Sequence, residues 1–517
     1  MLALPLALLS LLLTSLSLIP TPTHARTPLS LDDITSLNTA SLPSPPSFSI
    51  PPQGPSGPPL SITIALCSSA SPAPRFFVGN VSGDDAQGDP GPGGGKDSRE
   101  VVLQGGFGNW TGLFPKGGVL AVDANGAQGV QFDVGVSDGD PKHQVLDALP
   151  LLGDTTANQA VLFSAPFSPL PPLQAPAYPN YTLPPASSAL DSVTPPPLPA
   201  LANSSSASNN NVSLLITPTS SGLGNGLNSA CFLSSRPSTG TVANTTLWAR
   251  DRQGWRIQWL VEGLTPATNY TAFVLNGTRV SGPMYFATKS ASFACPLVHS
   301  LPYCPGVSYA VPLPPPPIAA ASNKGTYDAS SLPANLTRGV QSYLANFTTV
   351  LTTFACGRDW YSPLVGCDDC QREYRAWLCA TTFVRCAEPS PSNPAGFTSI
   401  PPEPSATGIF ASSPNNANQQ PLSALLPQPT TAPPRSLLLP PFTQPYTQLL
   451  PCIEQCQATD RACPPFIGFQ CPKKRFNAGA SYGVGYIDGA GGELGKGVAG
   501  AGGDRWGNVW CNYVESV

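Results

Sequence analysis

The sequence predicts a multidomain chain: an amino-terminal β-sandwich-like region, then a disulfide-rich, mainly helical cysteine-rich domain, with long disordered insertions. Three observations point there. Apolar residues alternate with period two between about residues 61 and 290, the pattern of half-buried strands. After a proline-rich connector the apolar period becomes helical, and cysteines recur at fixed gaps. The 64 prolines and 48 glycines of the 517 residues cluster instead of spreading, which marks insertions between folded modules.

The chain opens on "MLALPLALLSLLLTSLSLIP", an apolar block followed by Thr23-His24-Ala25. This predicts a signal peptide over residues 1–25, cut after Ala25. The block has no basic residue before it, so an uncleaved amino-terminal anchor is the alternative. No later run reaches about 18 uninterrupted apolar residues, and "WCNYVESV" lacks the hydrophobic tail of a lipid-anchor signal. The expected location is extracellular or luminal. Net charge is −4 with 10% charged residues. That excludes a basic nucleic-acid surface; the longest basic run, Lys473-Lys474-Arg475, reads as a solvated loop.

Residues 26–60 are Ser/Pro-rich and read as disordered. From 61 to 290 a β-rich glycosylated domain is expected. Ile62, Ile64 and Leu66 alternate, as do Val130, Phe132, Val134 and Val136. "LWARDRQGWRIQWLV" reads as a hairpin turning at Asp251 to Gly254, with Trp255, Ile257, Trp259 and Val261 on one face. Leu264 to Tyr270 resembles the tyrosine corner of fibronectin-like sandwiches, where the hydroxyl ties back to upstream backbone. Cys67 and Cys231 are the only cysteines here, so exclusion pairs them. N-x-S/T sequons stand at Asn80, Asn109, Asn180, Asn203, Asn211, Asn244, Asn269, Asn276, Asn335 and Asn346, with none beyond. They are candidate glycosylation sites. Fourteen cysteines in a secreted chain imply disulfides, not free thiols.

From 291 to 517 the cysteine-rich domain is expected, interrupted at 387–445 by a disordered insertion without period or charge. Leu336, Val340, Tyr343, Leu344, Phe347, Val350, Leu351 and Phe354 follow helical spacing, with Pro333 placed to start the helix. At about 100° per residue, Asn335 and Asn346 fall within roughly 20° of each other, about 100° from the centre of that stripe.

Cys295 and Cys304, then Cys370, Cys379 and Cys386, then Cys452, Cys456 and Cys463, then Cys471 and Cys511 resemble the cysteine-rich domain of Frizzled receptors, a helical module with five bridges. The C-x8-C-x6-C and C-x3-C-x6-C spacings match without slippage; the 65 residues between Cys386 and Cys452 and the extra Cys356 and Cys367 depart from the pattern. The resemblance implies Cys295–Cys386, Cys304–Cys379, Cys370–Cys463, Cys452–Cys511 and Cys456–Cys471, and the leftovers pair as Cys356–Cys367. With the signal, the β-rich glycosylated region, "LLPCIEQCQATDRACPPFIGFQCP" and "CNYV", the chain resembles the Mid (mating-pheromone-induced death) family of fungal stretch-activated calcium-channel components. That resemblance implies a regulatory protein at the outer face of the plasma membrane, reached through the endoplasmic reticulum, whose partner is a large four-repeat voltage-gated-type calcium channel subunit. It would be held there by that partner or by an uncleaved anchor.

Other chemistries fit less well. Catalysis would have to be built on His143 or His299, since His24 leaves with the signal. The pairs Asp84-Asp85, Asp138/Asp140 and Asp368-Asp369 lack the periodicity of a calcium loop, and Asp368-Asp369 equally suits a helix N-terminus. Cys367-x2-Cys370 and Cys452-x3-Cys456 have zinc-like spacing, against which secretion favours disulfides. No enzyme activity, metal or cofactor is expected. A lipid-groove receptor domain or a cell-wall adhesin is the alternative function.

Overall fold

A computed structural model describes residues 26–80, 90–92, 98–170, 183, 212–316, 325–388, 406–410, 421–431, 433–473, 478–485, 509 and 511–515. The expected signal peptide lies outside them. The chain forms two compact units, Met1–Gln144 with Leu227–Leu233, and Val145–Gly226 with Ser234–Val517.

In the first unit the period-two segments form strands. One sheet takes the order β1 (Thr27–Pro28), β3 (Ser47–Ile50), β8 (Gly118–Asp123), β5 (Arg75–Asn80), β6 (Arg99–Val101). The other runs β2 (Asp33–Asn38), β9 (Gln131–Ser137), β4 (Leu60–Leu66), β7 (Phe107–Gly112). Ile62, Ile64, Leu66, Phe132, Val134 and Val136 share one buried cluster with Phe48, Phe76, Val78 and Leu120 of the facing sheet. Phe76 meets Phe132 edge-on at 5.0 Å. Burying this apolar set from two sheets is what closes the sandwich. The Ser/Pro-rich stretch 26–60 is a correction. It supplies β1, β2 and β3, because Leu29, Phe48 and Ile50 are apolar enough to enter that core.

The second unit begins at Val145, within β10 (Gln144–Leu146). One sheet is β11 (Leu151–Thr155), β12 (Gln159–Phe163), β15 (Gly254–Glu262), β14 (Thr241–Asp251). Facing it are β13 (Val212–Pro218), β16 (Asn269–Asn276) and β17 (Arg279–Ala287). The β14–β15 hairpin turns between Asp251 and Gly254. The corner is present too: Thr265 N–H donates to the Tyr270 hydroxyl at 2.8 Å.

The mainly helical cysteine-rich domain is the larger correction. Among the described residues strand accounts for 35% and helix for 18%. The cysteine-rich stretch is also not a separate module, since it shares the second unit with β11 to β17. The reason is visible on β15. Ile257, Trp259 and Val261 enter the sandwich core, yet Arg256, Gln258 and Leu260 are buried as well. Leu260 packs with Phe163, Cys295, Leu297, Ala310 and Cys386. A sheet buried on both faces needs a layer on its far side, and the cysteine-rich stretch is that layer.

That layer mixes strands and helices: β18 (Leu297–Val298) pairs with β19 (Tyr309–Ala310), and β20 (Arg385–Ala387), β24 (Tyr446–Leu449) and β23 (Leu425–Gln428) form a small sheet. Two further short strands, β21 (Ala406–Phe410) and β22 (Pro421–Ser423), pair with each other. A short α1 (Ala230–Ser234) occurs earlier; α2 (Ala334–Leu351), α3 (Cys367–Thr382), α4 (Ile453–Ala462) and α5 (Ala478–Ser481) follow. Residues 387–445, expected as one disordered insertion, are therefore ordered at least over β21, β22 and β23. Leu425 sits opposite Leu449, and Leu439 lies in the core with Leu336, Val340 and Leu344 of α2. Residues 389–405 and 411–420 lie outside the described residues.

Candidate functional site

The fourteen cysteines form seven bridges, in the pairs the resemblance and exclusion imply: Cys67–Cys231, Cys295–Cys386, Cys304–Cys379, Cys356–Cys367, Cys370–Cys463, Cys452–Cys511 and Cys456–Cys471. Helix spacing explains the strict gaps. Cys370 and Cys379 lie on different sides of α3, so one bridge reaches toward α4 and the other toward the loop at Cys304. The "CNYV" end is pinned beside α4. Cys452 N–H donates to Asn512 O at 3.0 Å, and Val514 N–H donates to Gln455 Oε1 at 3.1 Å. Asn512 Nδ2 donates to the Tyr309 hydroxyl at 3.1 Å, which itself donates to Phe383 O at 2.9 Å.

Under this tail lies a buried charge cluster that the sequence reading missed. Asp154 of β11 accepts from Lys289 Nζ at 2.7 Å through Oδ1 and from Arg385 Nε at 3.0 Å through Oδ2. Ala310 N–H adds a longer contact at 3.3 Å. Neighbouring Gly153 permits the close approach, since a Cβ there would lie 2.5 Å from Ser308 O. Burial alone would raise the Asp154 carboxyl; the Arg385 and Lys289 charges outweigh it and hold it at about 2. Lys289 itself is lowered, because burial opposes its charge more strongly than a carboxylate shared with Arg385 can offset. The signal was a lone acid in the apolar run "LLGDTTANQAVLF", a pattern that demands a buried partner. Such a cluster joins β11, β20 and the residues just past β17, and all three of its charged side chains are buried.

A surface feature was missed as well. Cys356–Cys367 closes a short loop in which Trp360 is 85% and Leu364 is 88% exposed. Between them the Tyr361 hydroxyl lies 2.5 Å from Gly366 O and 2.7 Å from Ala462 O, fixing the loop to α4. Phe354 packs edge-on against Tyr361 and stacks on Phe466, itself half exposed. Residues 360–366 carry no charge. A bridged loop whose uncharged stretch 360–366 presents a tryptophan and a leucine to solvent, beside the exposed Arg358–Asp359 pair, has the character of a binding surface. The sequence signal was "WYSPLVG" between two cysteines, an apolar run with no helical period to bury it.

The other sequence candidates fall as follows. His143 is buried, its Nδ1 2.9 Å from the Thr63 hydroxyl and its Nε2 3.9 Å from Asp133. His299 is buried between the Ser300 and Thr326 hydroxyls, and burial lowers it to about 4. Both rings are thus buried side chains whose neighbours are hydroxyls. Asp369 accepts from Gly366 N–H at 2.9 Å and caps the start of α3. Asp84-Asp85 and Lys474-Arg475 lie outside the described residues. Among the described residues, Cys67/Asp133/Cys231 and Cys452/Glu454/Cys511 cluster closely enough to hold a metal. Their sulfurs are bonded to each other, which removes the thiolates a zinc site needs. Asn80, Asn109, Asn244, Asn269, Asn335 and Asn346 are exposed and Asn276 is half-buried; Asn180, Asn203 and Asn211 lie outside the described residues. No helix among the described residues is long and apolar enough to cross a membrane.

A family profile described as "Mid1: Stretch-activated Ca2+-permeable channel component" matches residues 61–496. The chain is similar to the stretch-activated cation channel MID1 of Cryptococcus neoformans var. grubii, at 34% identity over 445 residues, covering 79% of this chain and 68% of that protein. It is similar to the stretch-activated cation channel yam8 of Schizosaccharomyces pombe, at 28% identity over 235 residues, 44% of this chain and 40% of that one. With the stretch-activated cation channel MID1 of Saccharomyces cerevisiae it shares 26% identity over 229 residues, 41% of this chain and 34% of that one.

Proposed function

The chain belongs to the Mid1 family of stretch-activated Ca2+-permeable channel components, and on that premise we propose that it is a regulatory subunit working at the outer face of the plasma membrane beside a separate pore-forming calcium channel. In this reading it enters the secretory pathway, carries N-glycans on its sequons and associates with the membrane through its partner. The partner is a large four-repeat voltage-gated-type channel polypeptide. A channel component is not an enzyme class, and no catalytic role is assigned.

One observation carries the reading: the bridged loop that holds Trp360 and Leu364 in solvent. Its rigidity means little ordering entropy is lost on docking, and an exposed tryptophan is the residue type that dominates interface energies. A docked subunit acts on a channel by binding one of its states more tightly than another.

The test is calcium uptake in cells lacking the endogenous protein, with and without the large channel polypeptide, alongside affinity purification from membranes. Uptake that needs both, and co-purification of the channel, are the expected results. Full currents from this chain alone, in a membrane without a channel partner, would overturn it.

A further inference from the structure

Two apolar side chains of α2 lie in solvent beside a sequon. Tyr343 is 52% and Val350 is 50% exposed, although both belong to the apolar series of that helix. Asn346 lies between them in sequence, exposed, with Thr348 completing its sequon. Three and four residues are the spacings at which helical side chains become neighbours, about 5–6 Å between Cβ atoms. At about 100° per residue, Tyr343 stands roughly 60° and Val350 roughly 40° around the axis from Asn346. No hydrogen bond among the described residues engages the Asn346 amide, whereas Asn335 Oδ1 accepts from Arg338 at 2.9 Å.

We propose that Asn346 carries an N-glycan whose first N-acetylglucosamine seats on the Tyr343 ring and the Val350 methyls. The inference rests on the glycosylation reading above and goes beyond it by assigning the sugar a structural role. The chemistry fits. N-acetylglucosamine has an apolar face of C–H groups and an acetyl methyl, suited to an aromatic face, while its hydroxyls stay in water. A sugar fixed at i covers side chains at i−3 and i+4 with no further ordering of the helix. Asn335 supplies the internal contrast: its neighbours at i+3 and i+4 on the helix are Arg338 and Gly339, neither of them an apolar side chain, and its own amide is engaged by Arg338.

The full chain is secreted from a glycosylating host as wild type, N346Q, N335Q, the double variant Y343Q/V350Q, and the triple N346Q/Y343Q/V350Q. Mobility after endoglycosidase treatment and thermal unfolding are read on each. N346Q and N335Q should each lose one glycan increment. N346Q should lower Tm by about 2–4 °C even though glutamine is the better helix former, and N335Q should leave Tm in place. In the Y343Q/V350Q background, N346Q should no longer lower Tm. N346Q migrating as wild type refutes glycosylation at this position. A glycan present at Asn346 with equal Tm losses in both backgrounds refutes only the seating of the sugar.

Discussion

Arg385 Nε donates to Asp154 Oδ2 at 3.0 Å across a sequence separation of 231 residues. Asp154 belongs to the sandwich sheet and Arg385 follows α3 in the cysteine-rich layer, one residue before Cys386. The two are joined where both elements are buried, with Lys289 on the other carboxylate oxygen. Removing Asp154 leaves two buried cations without their counter-charge. Asp154→Ala should cost roughly 3–5 kcal/mol, read as a fall in Tm and in secreted yield. The triple replacement Asp154→Leu, Lys289→Met, Arg385→Met should recover most of that loss, since it removes the unpaired charges together.

The same carboxylate sets an acid limit. Its folded value near 2 lies below the ordinary 3.8, so its stabilisation is complete above the unfolded value and is lost as pH falls through 3.8 toward 2. The loss amounts to roughly 2 kcal/mol. Denaturant titrations from pH 5 to 2 should show this step in the wild type and not in the triple replacement.

His299 acts in a higher window. It is kept neutral by burial, at about 4 against an ordinary 6.5. The unfolded chain takes up the proton first, so stability is full above pH 6.5 and falls as pH drops from 6.5 to 4, by roughly 3 kcal/mol. His299→Gln keeps hydrogen-bonding capacity toward Ser300 and Thr326 and should flatten the profile between those limits. An unchanged slope in that variant would remove His299 as the cause.

How far these features were legible in the sequence depends on whether the signal was local. Period two in Ile62, Ile64 and Leu66 and the helical series from Leu336 are local, and both became elements. Cysteine pairing was legible only through the Frizzled resemblance and, for the leftover cysteines, by exclusion; the gaps alone do not choose among the pairings. The layering was not. Nothing in "GWRIQWLVE" distinguishes a strand with one wet face from one buried on both, because Arg256 and Gln258 read as solvent-facing until their partners are seen. For the same reason the second unit looked like two domains. Residues 26–60 and 421–445 looked disordered because their strands are short and proline-rich, and their burial comes from distant residues such as Leu120 and Leu449.

Leu439 tests the revised account of the 387–445 stretch. It is 4% exposed and packs against α2. Leu439→Ala should cost roughly 2–5 kcal/mol, whereas an insertion lacking any buried face would leave Tm unmoved. Cys370→Ala supplies a scale: opening a bridge that spans 93 residues should cost about 2–5 kcal/mol and lower secretion.

The last prediction separates folding from function at the exposed loop. Trp360 and Leu364 contribute little to the core, so Trp360→Ser and Leu364→Ser should leave the unfolding free energy within about 0.5 kcal/mol of the wild type, as surface changes usually do. Exposed apolar area is lost, so solubility should rise slightly. Channel association should fall, because a central tryptophan in an interface is commonly worth about 2 kcal/mol or more, close to 30-fold in Kd. The paired readouts are thermal unfolding of the secreted protein and the amount of channel polypeptide recovered with it from membranes. Calcium influx should follow recovery, not Tm. If Trp360→Ser retains full recovery and full influx, the loop is not the docking surface, and the contact belongs elsewhere on the chain.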